Sequence, residues 1–267
     1  MNGGSAAGGG HDGPAQAHYG RLAASYDQNW AYSPAYIAWM TRSILDRAAV
    51  QPGEIAADIG CGTGLYSRGL ATAAGMVICA DPSQAMLSQL PAGPALVPVA
   101  ASAQDVAARR VQLPADRLDV IVMKEAIHHV PATDRPATLR GLAGLLPPGG
   151  RIVIVMLPAR ISYPLFTAAL DRFGRLQPGP ATIAAMLSEA GLDTELTYGS
   201  YQLSFPKDRY LAMVRDRYMS LLATFSDAEI GRGIAEIQDR YPGDRLEFPD
   251  TFAFIRGIRD PAVVPGR

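Results

Sequence analysis

The chain has 267 residues, 48% of them hydrophobic and 18% charged, enough apolar material for one large or two small domains. Lys and Arg number 24 against 25 Asp and Glu, a formal charge of -1 that argues against the basic excess of a nucleic-acid binder. Two cysteines, Cys61 and Cys79, exclude a disulfide framework, and no apolar run nears the ~20 residues of a membrane helix.

Residues 1–16 are rich in Gly, Ala and Ser without apolar periodicity and read as a disordered tail. This tail lacks the basic and apolar regions of a signal peptide, so a soluble, cytoplasmic protein is expected. From His18 the pattern turns helical, with Leu22 and Tyr26 spaced i, i+4. Ser33-Pro34 then reads as an N-cap followed by proline at the first helical position. Ile37, Met40, Ile44 and Leu45 continue on one face until Pro52-Gly53, making residues 17–50 an N-terminal helical cap.

Five short apolar runs follow, at Ile55–Ile59, Met76–Ala80, Ala95–Val99, Leu118–Met123 and Arg151–Leu157. Helix-capable segments separate them, at Leu65–Ala74, Ser83–Leu90, Ala103–Val111 and Thr133–Leu146. Strands spaced by one helix each read as right-handed crossovers, so the fold class is α/β with a mostly parallel sheet flanked by helices. Pro180–Ala190 is helical, and Asp193 to Phe205 alternates like a strand. Pro206 to Leu222 is amphipathic, with Tyr210, Leu211, Val214, Tyr218 and Leu221 on one side. Ser226-Asp227-Ala228-Glu229 is a capping box ahead of Ile230, Ile234, Ile237 and Tyr241, and Phe248 to Ile258 returns to strand character. Residues 51–205 and 245–260 thus build the sheet domain. Residues 206–244 are a helical insertion between its last two strands, covering a sheet face or forming a lid over a pocket.

The densest chemical signal is Ala57-Asp58-Ile59-Gly60-Cys61-Gly62-Thr63-Gly64, at the end of the first sheet strand and opening a helix. Three alternating glycines let the backbone turn tightly and approach a ligand, and the helix N-terminus behind them offers free N–H groups. The third glycine comes one residue early for the dinucleotide G-x-G-x-x-G, and the Walker G-K-[ST] is absent. Asp81 follows the second strand at the same carboxyl edge, where a carboxylate can accept hydrogen bonds from two ribose hydroxyls.

In this order the segments resemble the class I S-adenosylmethionine-dependent methyltransferases of small-molecule type, from about Tyr19 to Leu157. Asp58 to Gly64 matches the D-x-G-x-G-x-G cofactor loop. Asp81-Pro82-Ser83 matches the acidic segment that binds the ribose, and Met86 falls on the helix flanking the adenine. Ala101-Ser102-Ala103-Gln104 matches the loop that meets the adenine ring. Leu118-Asp119-Val120-Ile121-Val122 through Ile127-His128-His129 resembles the fourth strand and its turn, and Leu145 to Gly150 the turn before the fifth. Tyr19-Gly20-Arg21-Leu22-Ala23-Ala24-Ser25-Tyr26-Asp27 resembles the segment that closes over the methionine end of the cofactor. The resemblance implies a Rossmann-like fold with S-adenosylmethionine as cofactor and S-adenosylhomocysteine as product. It also implies cofactor contacts from Tyr19, Tyr26, Asp58, Gly60, Gly62, Gly64, Asp81, Pro82, Met86, Ser102, Ala103 and Lys124. The chain departs from the family where Ser102 replaces a common Asp, where Lys124 replaces a small or neutral residue, and in lacking the N/D-P-P-Y signature of many nucleobase and amide N-methyltransferases.

Methyl transfer from a sulfonium is an in-line displacement, so the protein aligns the reactants and manages the acceptor's proton. His128 and His129, after the fourth strand, are the candidate bases, against the alternative that one or both are structural. No metal site is expected of the pair. Lys124 can neutralise the cofactor carboxylate or bind an anionic substrate, or else pair at the surface with Glu125 or Asp119. The aromatic residues Tyr19, Tyr26, Trp30, Tyr32, Tyr36, Trp39, Tyr163, Phe166, Tyr198, Tyr201 and Phe205 either pack the helices or roof a pocket for an acceptor with apolar surface, a small organic molecule of specialised metabolism. The expected assembly is a monomer or homodimer with no nucleic-acid or membrane partner. The rival readings are RNA or protein methylation, a non-catalytic S-adenosylmethionine-binding regulator, and a nicotinamide oxidoreductase.

Overall fold

The structure is a computed structural model that describes residues 33–91 and 93–261. The expectations for the tail and for Tyr19 and Tyr26 lie outside the described residues. Ser33 caps α1 (Pro34–Ala48): its Oγ accepts the Tyr36 N–H at 3.1 Å, and Pro34 supplies the pre-set φ of a first turn. Tyr36, Met40, Ile44 and Ala48 recur every fourth residue and form the buried face of this helix.

The alternation of apolar runs and helices folds as the sequence indicates. In chain order come β1 (Ile55–Ile59), α2 (Ser67–Leu70), β2 (Met76–Asp81), α3 (Gln84–Leu87), β3 (Leu96–Ala100), α4 (Ala103–Ala107) and β4 (Val120–Lys124). A 3₁₀ turn (Ile127–His129), α5 (Arg135–Ala143) and β5 (Arg151–Met156) complete the parallel part. Then follow α6 (Thr167–Leu176), α7 (Pro180–Glu189), β6 (Leu192–Pro206), α8 (Lys207–Arg215), a 3₁₀ turn (Ser220–Thr224), α9 (Asp227–Arg240) and β7 (Arg245–Arg259). The sheet order is β3-β2-β1-β4-β5-β7-β6, with β7 antiparallel to both its neighbours. Chain direction across the sheet reverses between β1 and β4, which opens a crevice outside their carboxyl ends.

Alternate residues of each strand feed two cores. Ala56, Val120, Val122, Val153 and Val155 face α1 and the elements after β5. Ile59, Ile121, Met123 and Ile154 face α5 and α7 on the other side. β5 pairs with β7 only from Arg151↔Ile258 to Met156↔Ala253. Beyond Phe252, β6 and β7 run on as a two-stranded ribbon to Pro206↔Arg245. The ribbon buries Leu203, Phe205, Leu246 and Phe248 against α8 and α9, which makes a cap over the sheet's carboxyl edge.

Three local expectations change. The run Leu65–Ala74 yields only the four-residue α2, after which the chain closes in turns. The amphipathic run from Pro206 breaks after Arg215, where Arg217 adopts φ 56° and the chain re-enters as a 3₁₀ turn. Helix α6, which buries Ala169 and Phe173, is amphipathic and was not anticipated. The capping box holds: Ser226 Oγ accepts the Glu229 N–H, and Glu229 returns to the Ser226 N–H at 2.7 Å. No described helix is long and apolar enough to cross a membrane.

Candidate functional site

β1 delivers Asp58 and the glycine loop to the crevice. Gly60 N–H bonds Ala80 O at 2.7 Å, which fastens the loop to the end of β2. Gly60 has φ 76°, and a Cβ there would stand 2.5 Å from the Ala126 Cβ, so the loop is seated on the turn after β4. Gly64, at φ 75°, lies against Leu90. Both positions demand glycine by conformation and by space. Asp58 is 3% exposed; its Oδ2 accepts the Ser67 hydroxyl at 2.6 Å, and burial pushes its carboxyl up to about 6.

Asp81 closes this half. Its Oδ2 accepts the Gly62 N–H at 2.9 Å and its Oδ1 the Ser83 N–H at 2.8 Å. Each oxygen keeps a lone pair for a further donor, the capacity a vicinal diol needs. Burial raises the Asp81 carboxyl above the usual range, and the two N–H groups oppose that rise. Pro82 lies in the turn, and Met86 is buried on α3. Ser102 and Ala103 stand at the start of α4, past the β3 residue Ala100 that pairs with Asp81. Ser102 is the α4 N-cap: its hydroxyl donates to Asp105 at 2.6 Å and accepts the Asp105 N–H at 3.1 Å. The capping box therefore explains Ser102 at this position.

A cavity of about 440 Å³ begins at Asp58, Gly60, Gly62 and Thr63, crosses the end of β4, and ends under the cap at Phe173, Met219 and Leu221. Lys124, Glu125, His128 and His129 line its middle. Asp81, Pro82, Met86, Ser102 and Ala103 occupy the same sheet edge without lining it.

Lys124 is half-buried at the wall of the cavity. Its Nζ stands 4.9 Å from the Tyr66 ring centre and 5.2 Å from that of Phe252. Desolvation lowers its pKa, against the raising fields of Glu125, Asp250 and Asp58. The two surface partners considered for it are engaged elsewhere: Asp119 Oδ2 accepts the Ile55 N–H at 2.9 Å, and Glu125 Oε1 accepts the Leu157 N–H at 2.7 Å. Glu125 has φ 51°, a left-handed backbone unusual for a residue with a Cβ, and burial raises its carboxyl.

His128 and His129 stack with ring centres 4.0 Å apart. His128 Nδ1 is buried and has no hydrogen-bond partner, and desolvation, helped by Arg135 and Lys124, lowers the imidazole to about 4. It is therefore neutral throughout the physiological range. His129 is exposed at the rim.

Asp250 completes the site. It is fully buried, accepting the Tyr36 hydroxyl at 2.8 Å and the Tyr163 hydroxyl at 2.6 Å, and burial pushes it up to about 6. It joins α1, the segment after β5 and the β6–β7 ribbon around the cavity. Sequence reading singled out both tyrosines and missed Asp250, a lone carboxylate inside an apolar strand run; that oddity was its available signal. Among the described residues no group of three His, Cys, Asp or Glu is set to hold a metal.

Comparison with known proteins shows what the chain resembles. A methyltransferase-domain family model matches residues 56–150, which run from β1 to the turn before β5. A ubiquinone biosynthesis O-methyltransferase of Xanthomonas axonopodis pv. citri (strain 306) is 31% identical over 167 residues, covering 55% of this chain and 66% of the relative. The match thus spans just under two thirds of that protein. Solved structures that share the fold include two methyltransferases. One, from Anabaena variabilis ATCC 29413 and provisionally called a methyltransferase of an antibiotic biosynthesis pathway, has a TM-score of 0.63 at 19% identity, over 82% of this chain and 96% of its own. The other, Haemonchus contortus phosphoethanolamine N-methyltransferase 2 in complex with S-adenosyl-L-methionine, has a TM-score of 0.58 at 16% identity, over 92% and 60%.

Proposed function

We propose that this chain, which belongs to the class I S-adenosylmethionine-dependent methyltransferases, transfers a methyl group from that cofactor to a small organic molecule. The observation that carries the reading is the single cavity that joins the glycine loop to an apolar chamber under the cap. A second molecule can thereby meet whatever the loop holds.

The donor set fits the cofactor. Asp81 has lone pairs to spare for two hydroxyls, and Gly60, Gly62 and Gly64 keep side chains away from the loop. Asp58 faces the loop with a second carboxylate, and Pro82, Met86, Ser102 and Ala103 stand along the edge where a base would lie. When bound, S-adenosylmethionine supplies the electrophilic methyl group. Everything else falls to the protein. The loop and Asp81 orient, the cap excludes water, and the apolar wall of Phe173, Met219 and Leu221 receives the acceptor's carbon skeleton. His128 Nδ1, buried and unpaired, takes the acceptor's proton as the new bond makes that proton acidic. His129, exposed and stacked on it, supports the His128 ring. The near-neutral charge favours a small acceptor over RNA or protein.

The test is methyl transfer itself. Protein incubated with methyl-labelled S-adenosylmethionine and separate pools of phenols, amines, carboxylic acids, RNA and protein should label a small molecule. Label confined to RNA or protein would replace the acceptor class, and cofactor binding without any transfer would favour a regulator.

A further inference from the structure

We propose that Cys61 and Cys79, the only two cysteines of the chain, are a reversible thiol pair, and that hydrogen peroxide joins them in a disulfide that closes the glycine loop to the cofactor. The effect on the cofactor rests on the methyltransferase reading; the bond itself does not.

The pair comes from sheet register and loop geometry. Cys79 stands on β2 opposite Asp58 of β1, with its side chain in the core that faces α1. Cys61 follows β1 by two residues, and its N–H donates to Ala80 O at 3.2 Å, beside Cys79. Its side chain packs against the same core and lines the cavity. The two thiols therefore meet, and the Cys61 S–H donates to the Cys79 sulfur. Their carbonyl contacts are weak: Cys61 Sγ stands 3.6 Å from Gly62 O, and Cys79 Sγ 3.7 Å from Val77 O.

Position divides the roles. Cys79 is fully buried, whereas Cys61 is half-buried and open to a small oxidant in the cavity. The bond from Cys61 holds the Cys79 thiol below its usual pKa, against desolvation and with help from the Ser67 hydroxyl, and the same bond raises Cys61. When the pair ionises, the remaining proton is shared between the sulfurs, and its passage to Cys79 presents the Cys61 thiolate to the cavity. Cys61 then takes an oxygen from the peroxide, and Cys79 attacks the resulting sulfenic acid. The step balances: the thiols give up two protons and two electrons, the sulfur–sulfur bond forms, the peroxide oxygen–oxygen bond breaks, and two molecules of water leave.

Sulfurs in hydrogen-bond contact must close to about 2.0 Å in a disulfide. Cys79 cannot follow, because β2 is bonded to β1 and β3 along both edges. The movement falls on Cys61, between Gly60 and Gly62, both at positive φ. The Gly62 N–H holds Asp81 at 2.9 Å, so drawing Cys61 onto β2 misplaces the loop together with that carboxylate.

The test compares reduced protein with protein treated with equimolar hydrogen peroxide. Arg68 lies between the cysteines, so trypsin separates their peptides unless they are linked. The expected result is a linked peptide within a single chain, S-adenosylhomocysteine bound about tenfold more weakly by calorimetry, and full recovery with dithiothreitol. Cys79→Ser, given the same treatment, should keep its affinity within about twofold. Oxygenated Cys61 without the linked peptide, cross-links only between chains, a linked peptide with unchanged affinity, or an equal loss in Cys79→Ser would each overturn the proposal and leave the methyltransferase reading in place. If Cys79→Ser does not fold, the linked peptide and the reversible loss in the wild type decide alone. Failure of the reduced protein to bind S-adenosylhomocysteine would remove that reading and the closure of the loop with it, whereas the linked peptide tests the bond in either case.

Discussion

The two ends of the cavity are built on different principles. At the glycine loop, backbone groups do the work: Gly60 and Gly62 turn the chain with positive φ, and Asp81 is fixed by main-chain N–H groups two and nineteen residues away. At the cap end, side chains from distant segments meet: Tyr36, Tyr163 and Asp250 are 214 and 87 residues apart along their two hydrogen bonds. The first end is a local motif. The second exists only once the ribbon of β6 and β7 has folded back over the sheet. Local construction suits a ligand that many chains share, and assembly from distant segments suits one that a single chain must select.

Substitutions can separate the two ends. The largest effect is expected from Gly60→Val, which adds a side chain at φ 76° where a Cβ alone comes within 2.5 Å of Ala126 Cβ. S-adenosylhomocysteine affinity, read by calorimetry, should fall about 100-fold or beyond detection. Asp81→Ala comes next. It removes the acceptor for the Gly62 and Ser83 N–H groups and should weaken S-adenosylhomocysteine about tenfold, with a smaller loss of stability.

Asp250→Asn tests the other end and should leave cofactor affinity unchanged. Its readout is the pH dependence of unfolding. The Asp250 carboxyl is raised from 3.8 to about 6 in the folded protein, so the folded state binds its proton more tightly than the unfolded chain. That contribution is fully present below pH 3.8 and is lost as pH rises through about 6. Across this window the wild type should lose about 3 kcal/mol relative to Asp250→Asn, measured as the difference between their denaturant curves. A constant difference across the window would show that Asp250 does not titrate as its burial requires. Ser226→Ala should have the smallest effect, about 1 kcal/mol of stability from the capping box of α9, with cofactor affinity intact. Loss of cofactor binding in either cap variant would dissolve the distinction between the two ends.

This difference also explains what could be read in advance. β1 to β5 and the glycine loop were legible because their signals are local: short continuous apolar runs, alternating glycines and an aspartate at a strand end. Ser33 and Ser226 were equally plain as caps. Lys124 stood out by rarity, but its setting between Tyr66 and Phe252 did not, since those residues are 58 and 128 positions away. Glu125 was considered only as a surface partner for Lys124. It is placed by a left-handed backbone turn and the Leu157 N–H, neither of which leaves a residue pattern. His128 was legible as a residue of the site, but not its imidazole lowered to about 4, which comes from burial beside Arg135 and Lys124. The break after Arg215 comes with the left-handed Arg217 and leaves no residue pattern, whereas α6 is amphipathic and its pattern was overlooked.

The most direct test of the central claim is a parallel calorimetric titration of the purified chain with S-adenosylmethionine, S-adenosylhomocysteine, NAD and NADP. The account predicts micromolar binding of the first two and none of the nicotinamide cofactors. Binding of NAD or NADP in their place would contradict it.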